Sequence, residues 1–482
     1  MTDASVPGGP AADRHALTGW GRATRSLAHV VRPRDAHEVT ALLTDGAPSG
    51  LVPRGMGRAY GDAAQNAGGV VLDGTGLDAP ARLDAERGVL TVSGGTSMES
   101  ILRQCVGLGW FPPVTPGTRH VTVGGAIAAD VHGKNHHADG SFARYVESIT
   151  LALPGRASAP GEVRTVTPES DAPLFWATAG GMGLTGVILE ARIRMRRIES
   201  PLMLVETRRA RDLEAVMELL AEGDARAPYS VAWLDLLARG TSLGRGVVSM
   251  GDHAPVAALP AARGAARGYA PRRGLPAPPP LPGWLLSRPP VRALNAAWFR
   301  RAPARRVDEL QSIDAFFYPL DLVDGWNRAY GASGMLQWQC LVPFEAERLL
   351  AQMVGELARG PVPVTLAVLK RMGEGSPGHL SFPAPGWTLA ADLPAVRRPA
   401  LDALLDRLDA LVADAGGRIY LAKDARMRPE WLPRMYPRIE EWREVQARVD
   451  PDGRLTSDLD RRLGLTARAA ARLPRPARDA AD

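Results

Sequence analysis

"TPGTRHVTVGGAIAADVHGKNHHADGS", residues 115–141, holds four of the chain's nine histidines and one of its lysines behind a run of very small residues. Two readings compete. On a helix, His132 and His136 stand four apart and share a face, as zinc ligands often do. Against this, Thr122 to Asp130 are small enough to let backbone approach a broad, flat ligand closely. Glycine, lysine and small residues surround the histidines, where zinc would want a third ligand and a carboxylate. The second reading is the better one, and it makes His132 a candidate active-site residue, with His136 and His137 in cofactor contacts or packing.

Two more glycine-rich stretches call for the same explanation: "PRGMGRAYGD" (53–62) and "TAGGMGLTGVI" (178–188). None ends in the Gly-Lys-Ser/Thr of a P-loop, and "GMGRAYG" is one residue longer than the dinucleotide fingerprint. Taken together they suggest turns at strand ends whose backbone N–H groups face the phosphates of a dinucleotide.

Composition narrows the class. The 482 residues exceed one ordinary core, and 45% apolar content is enough to fill two. No run approaches the ~18 apolar residues of a spanning helix, and the N-terminus has no secretory apolar core. We therefore expect cytoplasmic synthesis. Cys105 and Cys340 are too few for a disulfide framework. The net charge of +6 is modest, and no nucleic-acid partner is expected. Of the 58 basic residues only three are lysines, Lys134, Lys370 and Lys423. An ammonium can lose its proton where a guanidinium cannot, so each lysine in so arginine-rich a chain is a candidate for function.

The patterning predicts disorder over 1–15, then short strands alternating with helices to about Arg197. In "GVLTVSGGTSMESILRQC", Val89–Val92 read as a strand, Thr96 and Glu99 as a capping box, and Met98, Ile101, Leu102 and Cys105 as one helical face. From 198 to 417, strand-like runs such as "YSVAWLDLL", "GMLQWQCLVP" and "GWTLAADLP" accompany amphipathic helices, among them one carrying Leu401, Leu404, Leu405, Leu408, Leu411 and Val412. Residues 254–290, dense in Pro, Arg, Ala and Gly, read as a mobile flap without a regular element. Ordered patterning returns over 418–465, and 466–482 reads as a disordered tail.

"RGMGRAYGD", "TPGTRHVTVGGAIAADVHGKNHH", "GGMGLTG", "FFYPLDLVDGWNR", "LQWQ", "LSFPAPGW" and "YLAKDAR" together resemble the decaprenylphosphoryl-β-D-ribose oxidases of actinobacterial cell-wall synthesis. These belong to the vanillyl-alcohol oxidase and p-cresol methylhydroxylase superfamily. The resemblance implies an α+β flavoprotein: a PCMH-type FAD-binding domain at 16–197, closed by 418–465, with a substrate domain inserted at 198–417 on an antiparallel sheet with helices. It implies oxidation of the 2-hydroxyl of a polyprenylphosphoryl ribofuranose by FAD, with an NAD-dependent short-chain reductase completing epimerisation to arabinose; separately, Arg263, Arg267, Arg272, Arg273 and Arg288 around Trp284, Leu285 and Leu286 in 254–290 are expected to seat the flap on a membrane surface.

It also implies site residues. FAD contacts fall to Arg54, Gly55, Met56, Gly57, Arg58, Ala59, Tyr60, Gly61 and Asp62, to Gly117, Thr118, Thr122, Val123, Gly124, Gly125, Ala129, Asp130 and His132, and to Gly183, Ile188 and Tyr420. Lys423 and His132 flank the reactive face with Tyr60 close by. Lys423 is the first choice for the base, or for a cation lowering the hydroxyl's pKa, and His132 the second. Lys134, Lys370, Tyr318, Gln337, Gln339, Thr388 and Ala390 are expected in the substrate pocket, the glutamines because residues two apart on a strand share a face. Mycobacterial members carry a cysteine and an asparagine where this chain has Ala390 and Thr388. Several superfamily members bind flavin covalently through a histidine in the first glycine stretch. Arg58 stands near that place here, so FAD is expected to be noncovalent. The rival within enzymes is an oxygen-using alditol or aldonolactone oxidase on the same fold; outside enzymes, it is a lipid- or protein-binding scaffold without turnover.

Overall fold

The computed structural model describes residues 14–156, 160–260, 268–271 and 274–474. Two sheets form the N-terminal half. The first runs Arg14–Thr18, Arg25–Val31, Val70–Asp73, Leu51–Arg54 in spatial order, with parallel pairing at its second and third contacts. The second, wholly antiparallel, runs Arg82–Asp84, Val89–Ser93, Val187–Arg194, Val146–Leu153, Glu162–Val166. A larger antiparallel sheet of eight strands makes the other half: Arg305–Ser312, Leu202–Ala210, Gly246–His253, Tyr229–Leu234, Leu366–Met372, Gly386–Pro394, Met335–Val342, Arg418–Ile419. Helices cover it, among them Glu347–Arg359 and Arg398–Asp414, the latter burying Leu401, Leu404, Leu405, Leu408 and Val412. The architecture is α+β. Cys105 and Cys340 are buried free thiols.

Several boundaries differ from the sequence reading, each for a local reason. Arg14 and His15 pair with His29 and Ala28, so order begins inside the segment expected to be disordered; residues 1–13 lie outside the described ones. The helix Met98–Cys105 is capped by Ser97, whose hydroxyl accepts from Ser100 N, because Thr96 instead donates to Asp78 at 2.6 Å. The large sheet extends past Gly417, since Arg418 and Ile419 pair with Leu341 and Cys340.

The expected flap is in part regular. Residues 261–267 and 272–273, with Arg263, Arg267, Arg272 and Arg273, lie outside the described ones. Pro289 and Pro290, however, fall in the first turn of a helix, Arg288–Arg301, where a missing N–H costs nothing. Arg288 there donates to Ala358 O and Gly360 O, carbonyls at the end of the helix Glu347–Arg359. Beyond Leu465, Thr466 caps a further turn, Ala467–Ala470, and its N–H and hydroxyl both bond Asp460, so the expected tail begins later; residues 475–482 lie outside the described ones.

The C-terminal segment folds back across the N-terminal half. Trp442, fully buried, donates to Ala177 O at 2.9 Å, and Leu51 and Thr456 exchange backbone bonds with the partner segment. Arg462 holds Asp62 by two bonds of 2.7 and 2.9 Å and Asp424 by one of 2.8 Å. Both carboxylates are buried, with side chains 9% and 3% exposed. Removing the cation strands two buried anions, so Arg462→Ala should lose about 3–5 kcal/mol in denaturant unfolding. A loss below about 1 kcal/mol would show the bridge to be dispensable.

Candidate active site

Between the two halves lies a cleft of ≈ 1880 Å³, counting its open mouth. One wall is the turn after the strand Leu51–Arg54. Gly55, Met56, Gly57, Arg58 and Ala59 line it, and none of their backbone N–H groups donates to a described residue. Five consecutive amides without a protein acceptor are available to phosphate oxygens. Gly57 has φ +64°, and Gly117 has open space where a Cβ would stand. Further along, Thr122, Gly124, Gly125, Ala129, Gly183 and Ile188 continue the wall with little or apolar side chain. The short helix Val123–Ala128 does not add amides, because those of Val123, Gly124 and Gly125 go to Thr96 O, Gly94 O and Thr122 Oγ1.

The opposite wall is one face of three neighbouring strands. Register sets Gln337, Asp392 and Leu366 in one row, Gln339, Ala390 and Val368 in the next, and Leu341, Thr388 and Lys370 in the third. Gln337, Gln339, Leu366, Val368, Lys370 and Ala390 reach the cleft. Lys423 and Tyr420 enter from the segment after Arg418–Ile419, and Lys423 Nζ sits 3.9 Å from the centroid of the Tyr60 ring.

Hydrogen-bond donors decide the state of His132. Thr388 donates its hydroxyl to Cys340 O, so its oxygen accepts from Gln339 Nε2 at 3.1 Å. The other N–H of that amide meets His132 Nε2 at 3.1 Å, which must therefore accept. Burial, then Lys370, His136 and Lys423, hold His132 well below its ordinary pKa, so the ring is neutral with its Nε2 lone pair occupied. Lys423 stands nearer the range in which a side chain exchanges a proton at neutral pH. Burial, against a raising influence from Asp392 and a further lowering one from Lys370, brings it to about 7. Lys370 is lowered to about 8 by burial, and Tyr60 is raised well above its ordinary value, chiefly by burial.

Other expected residues lie behind the walls. Lys134 donates to Phe316 O and sits 4.3 Å from that ring's centroid; burial and then Lys370 lower it to about 7. Two of the three lysines thus face the cleft, and the third is packed near Lys370. Tyr318 does not reach it, its hydroxyl bonded to Thr115 Oγ1 at 2.6 Å within an aromatic cluster. Thr388 is buried beneath Gln339. Asp62 is taken by Arg462, and Gly61 packs on Asp424, whose carbonyl oxygen would be 1.8 Å from a Cβ. Val123 is buried core. Asp130 gathers Ser141, Ser376, Ser381 and Ala143 N, tying the histidine stretch to the substrate half. His132 and His136 do not share a helix, since Val123–Ala128 ends before His132 and His136–Asp139 starts after it. His136 Nδ1 accepts from Gly373 N, and His137 Nε2 meets Ala227 O.

Sequence reading missed Trp20, Leu320 and Trp326 at the mouth, where Arg58 stacks on Trp20 at 3.9 Å. It also missed Asp392. The signal was present, because Asp392 follows Thr388 and Ala390 at spacing two on one strand.

Residues 27–156 match the FAD binding domain family. The chain is 38% identical over 456 residues to the decaprenylphosphoryl-β-D-ribose oxidase of Mycolicibacterium smegmatis, covering 93% of this chain and 97% of that protein. The chain belongs to that oxidase family. An uncharacterised protein of Streptomyces coelicolor is 46% identical over 367 residues, 74% of this chain and 97% of its own. Cytokinin dehydrogenase 3 of rice matches 35% of the chain at 29% identity. Like other members of the oxidase family, this is an FAD-dependent oxidoreductase acting on a CH–OH group, and its residues fit FAD: the free amides of Gly55–Ala59 suit the pyrophosphate, and the smooth wall suits a flat ring system.

Arginine keeps a charge but cannot take a proton, so it separates a base from a polarising cation. Lys423→Arg and Lys423→Met should both retain FAD and lose ~10²–10⁴-fold in the rate of flavin reduction. Near-normal reduction in Lys423→Arg would make Lys423 a cation only.

Proposed function

We propose that this chain oxidises the 2-hydroxyl of a polyprenylphosphoryl-β-D-ribofuranose to the 2-ketone, after which an NAD-dependent short-chain reductase completes epimerisation to an arabinose donor for cell-wall arabinan. The observation that carries the reading is the near full-length similarity to an oxidase named for that sugar lipid. The polar sheet face beside Lys423 supports it.

Bound FAD supplies the two-electron acceptor. Lys423, neutral above about pH 7, takes the hydroxyl proton. Both N–H groups of Gln339 are committed, so its carbonyl oxygen remains to accept from a sugar hydroxyl. Gln337 gives one N–H to Asp392 and also hydrogen-bonds Tyr60, which leaves its carbonyl for the sugar. Ala390 leaves room in the middle row, and Lys370 offers a buried cation to the oxygens of the substrate. His132, neutral and bonded, holds Gln339 in place.

The lipid tail needs an apolar way out. Met56, Leu320, Trp20 and Trp326 line the mouth, and the strap beside it carries Leu275, Leu281 and Trp284, the last 66% exposed. Leu275 pairs with Val323 and Leu281 N bonds Ala329 O, which places this strap along the segment that carries Leu320 and Trp326. Beyond it, Leu294 and Trp298 stand four apart on the outer face of the helix Arg288–Arg301, which ends in Arg300 and Arg301. Apolar side chains rimmed by arginine suit an anionic membrane surface.

Anaerobically, polyprenylphosphoryl ribose should bleach the flavin while soluble alditols and aldonolactones do not. Bleaching by the soluble sugars alone would replace the reading with an alditol-type oxidase. The chain should also sediment with anionic liposomes, and Trp284→Ser with Trp298→Ser should weaken this severalfold without loss of FAD. Unchanged sedimentation would remove these residues from the membrane contact.

A further inference from the structure

Arg54, Arg58, Lys370 and Lys423 bring positive charge to the cleft wall. Arg54 commits its terminal nitrogens to Ala64 O and Thr18 O, at 2.9 and 2.8 Å. Lys370 Nζ meets Gly133 O at 3.5 Å, and Lys423 Nζ lies over the Tyr60 ring. The guanidinium of Arg58 is different: it makes no hydrogen bond or ion pair with any described residue, and its Nε is buried without a partner. Asp321, the first of the carboxylates that act on it electrostatically, is already occupied, accepting from Thr118 Oγ1 at 2.8 and 3.0 Å and from Arg119 N at 2.8 Å. Half-buried donors without acceptors are costly unless a ligand supplies the acceptors.

The side chain is nevertheless held in place. Its guanidinium carbon stands 3.9 Å from the centroid of the Trp20 ring. Trp20 is itself fixed: its N–H donates to Ala59 O at 2.7 Å, its carbonyl accepts from Asn327 Nδ2 at 2.6 Å, and its ring meets that of Trp326 edge-on at 5.9 Å. An aromatic ring against a guanidinium restrains the cation and leaves the N–H edges to an incoming acceptor.

We propose that Arg58 binds the phosphate of the substrate through its guanidinium, with Trp20 keeping that fork in position. The proposal rests on the sugar-lipid reading above. The order of groups along such a substrate is sugar, phosphate, tail, and the phosphate sits on the carbon next to the one oxidised. The first glycine turn repeats that order. Tyr60 meets Lys423 beside the polar sheet face, Met56, 38% exposed, stands at the mouth with Leu320, and Arg58 comes between Met56 and Tyr60. Two residues separate by at most about 7 Å at Cα, so Arg58 and the group that takes the hydroxyl proton serve neighbouring parts of one sugar phosphate. A phosphodiester offers two unesterified oxygens and one negative charge, which a guanidinium matches with two parallel N–H groups. The turn then has two surfaces: its backbone amides are available to the cofactor's pyrophosphate, while the Arg58 side chain turns to Trp20 at the mouth.

Farnesyl phosphate carries a phosphate and a prenyl tail but no sugar to oxidise, so it tests the site without turnover. By calorimetry on the holoprotein, Arg58→Met should bind it about 10- to 100-fold more weakly than wild type, and Arg58→Lys should fall between, since an ammonium keeps the charge and loses the fork. Trp20→Leu should weaken binding severalfold and Trp20→Phe less, because a ring is what restrains the cation. In turnover, kcat/KM for polyprenylphosphoryl ribose relative to methyl β-D-ribofuranoside should fall in Arg58→Met by the same factor as the affinity. Equal affinity for farnesyl phosphate in wild type and Arg58→Met overturns the proposal; should that variant not fold, equal affinity in Arg58→Lys does so. A variant that keeps this affinity but sheds flavin on dilution also overturns it, and assigns the guanidinium to the cofactor's pyrophosphate. A wild-type holoprotein that leaves polyprenylphosphoryl ribose unoxidised would sink the proposed function, whereas farnesyl phosphate affinity alone decides the role of Arg58.

Discussion

The bridge from Arg462 to Asp62 and Asp424 is the constraint on which the site depends. It joins the end of the first glycine turn to the turn that carries Lys423, and the backbone follows, with Tyr60 N bonding Ala422 O at 2.9 Å. Gly61 makes the approach possible, since any side chain there would meet the carbonyl of Asp424. Tyr60 and Lys423, far apart in sequence, thereby come ring to ammonium. A desolvated contact of that kind adds up to ~2 kcal/mol, a smaller effect than the cost of breaking the bridge.

Burial then supplies the chemistry. In water a lysine is protonated at neutral pH and useless as a base. Inside the cleft the ammonium loses hydration that the sparse surrounding carboxylates do not replace, and Lys370 adds repulsion, so Lys423 reaches the range where it can exchange a proton. The same desolvation silences His132, whose neutral ring accepts a bond from Gln339 and serves geometry. One cause acts on both: burial brings a group that starts at 10.5 to about 7 and holds one that starts at 6.5 well below that value.

Much of this was legible in the chain. The glycine turn at 53–62, the scarcity of lysine and the spacing of Gln337 and Gln339 all pointed to the residues that now face the cleft. For some of the expected residues the structure shows a protein partner on the side chain. Asp130 looked like a cofactor contact and instead gathers three serines; Asp62 went to Arg462, and Tyr318 to Thr115. Those partners are remote in sequence, so no local pattern announces them. The prolines at 289 and 290 misled for a different reason: their density suggested an irregular loop, but at the first turn of a helix proline is favourable.

By itself the sequence determined which segments are strands and helices, because side-chain periodicity and turn residues act over a few positions. It also determined where glycine turns leave backbone amides uncovered by side chains. Tertiary structure decided which face of each strand looks into the cleft and which two of the three lysines reach it. Those outcomes depend on strand register and on ion pairs between residues hundreds of positions apart. The electrostatic state of each group follows from how much water that packing removes.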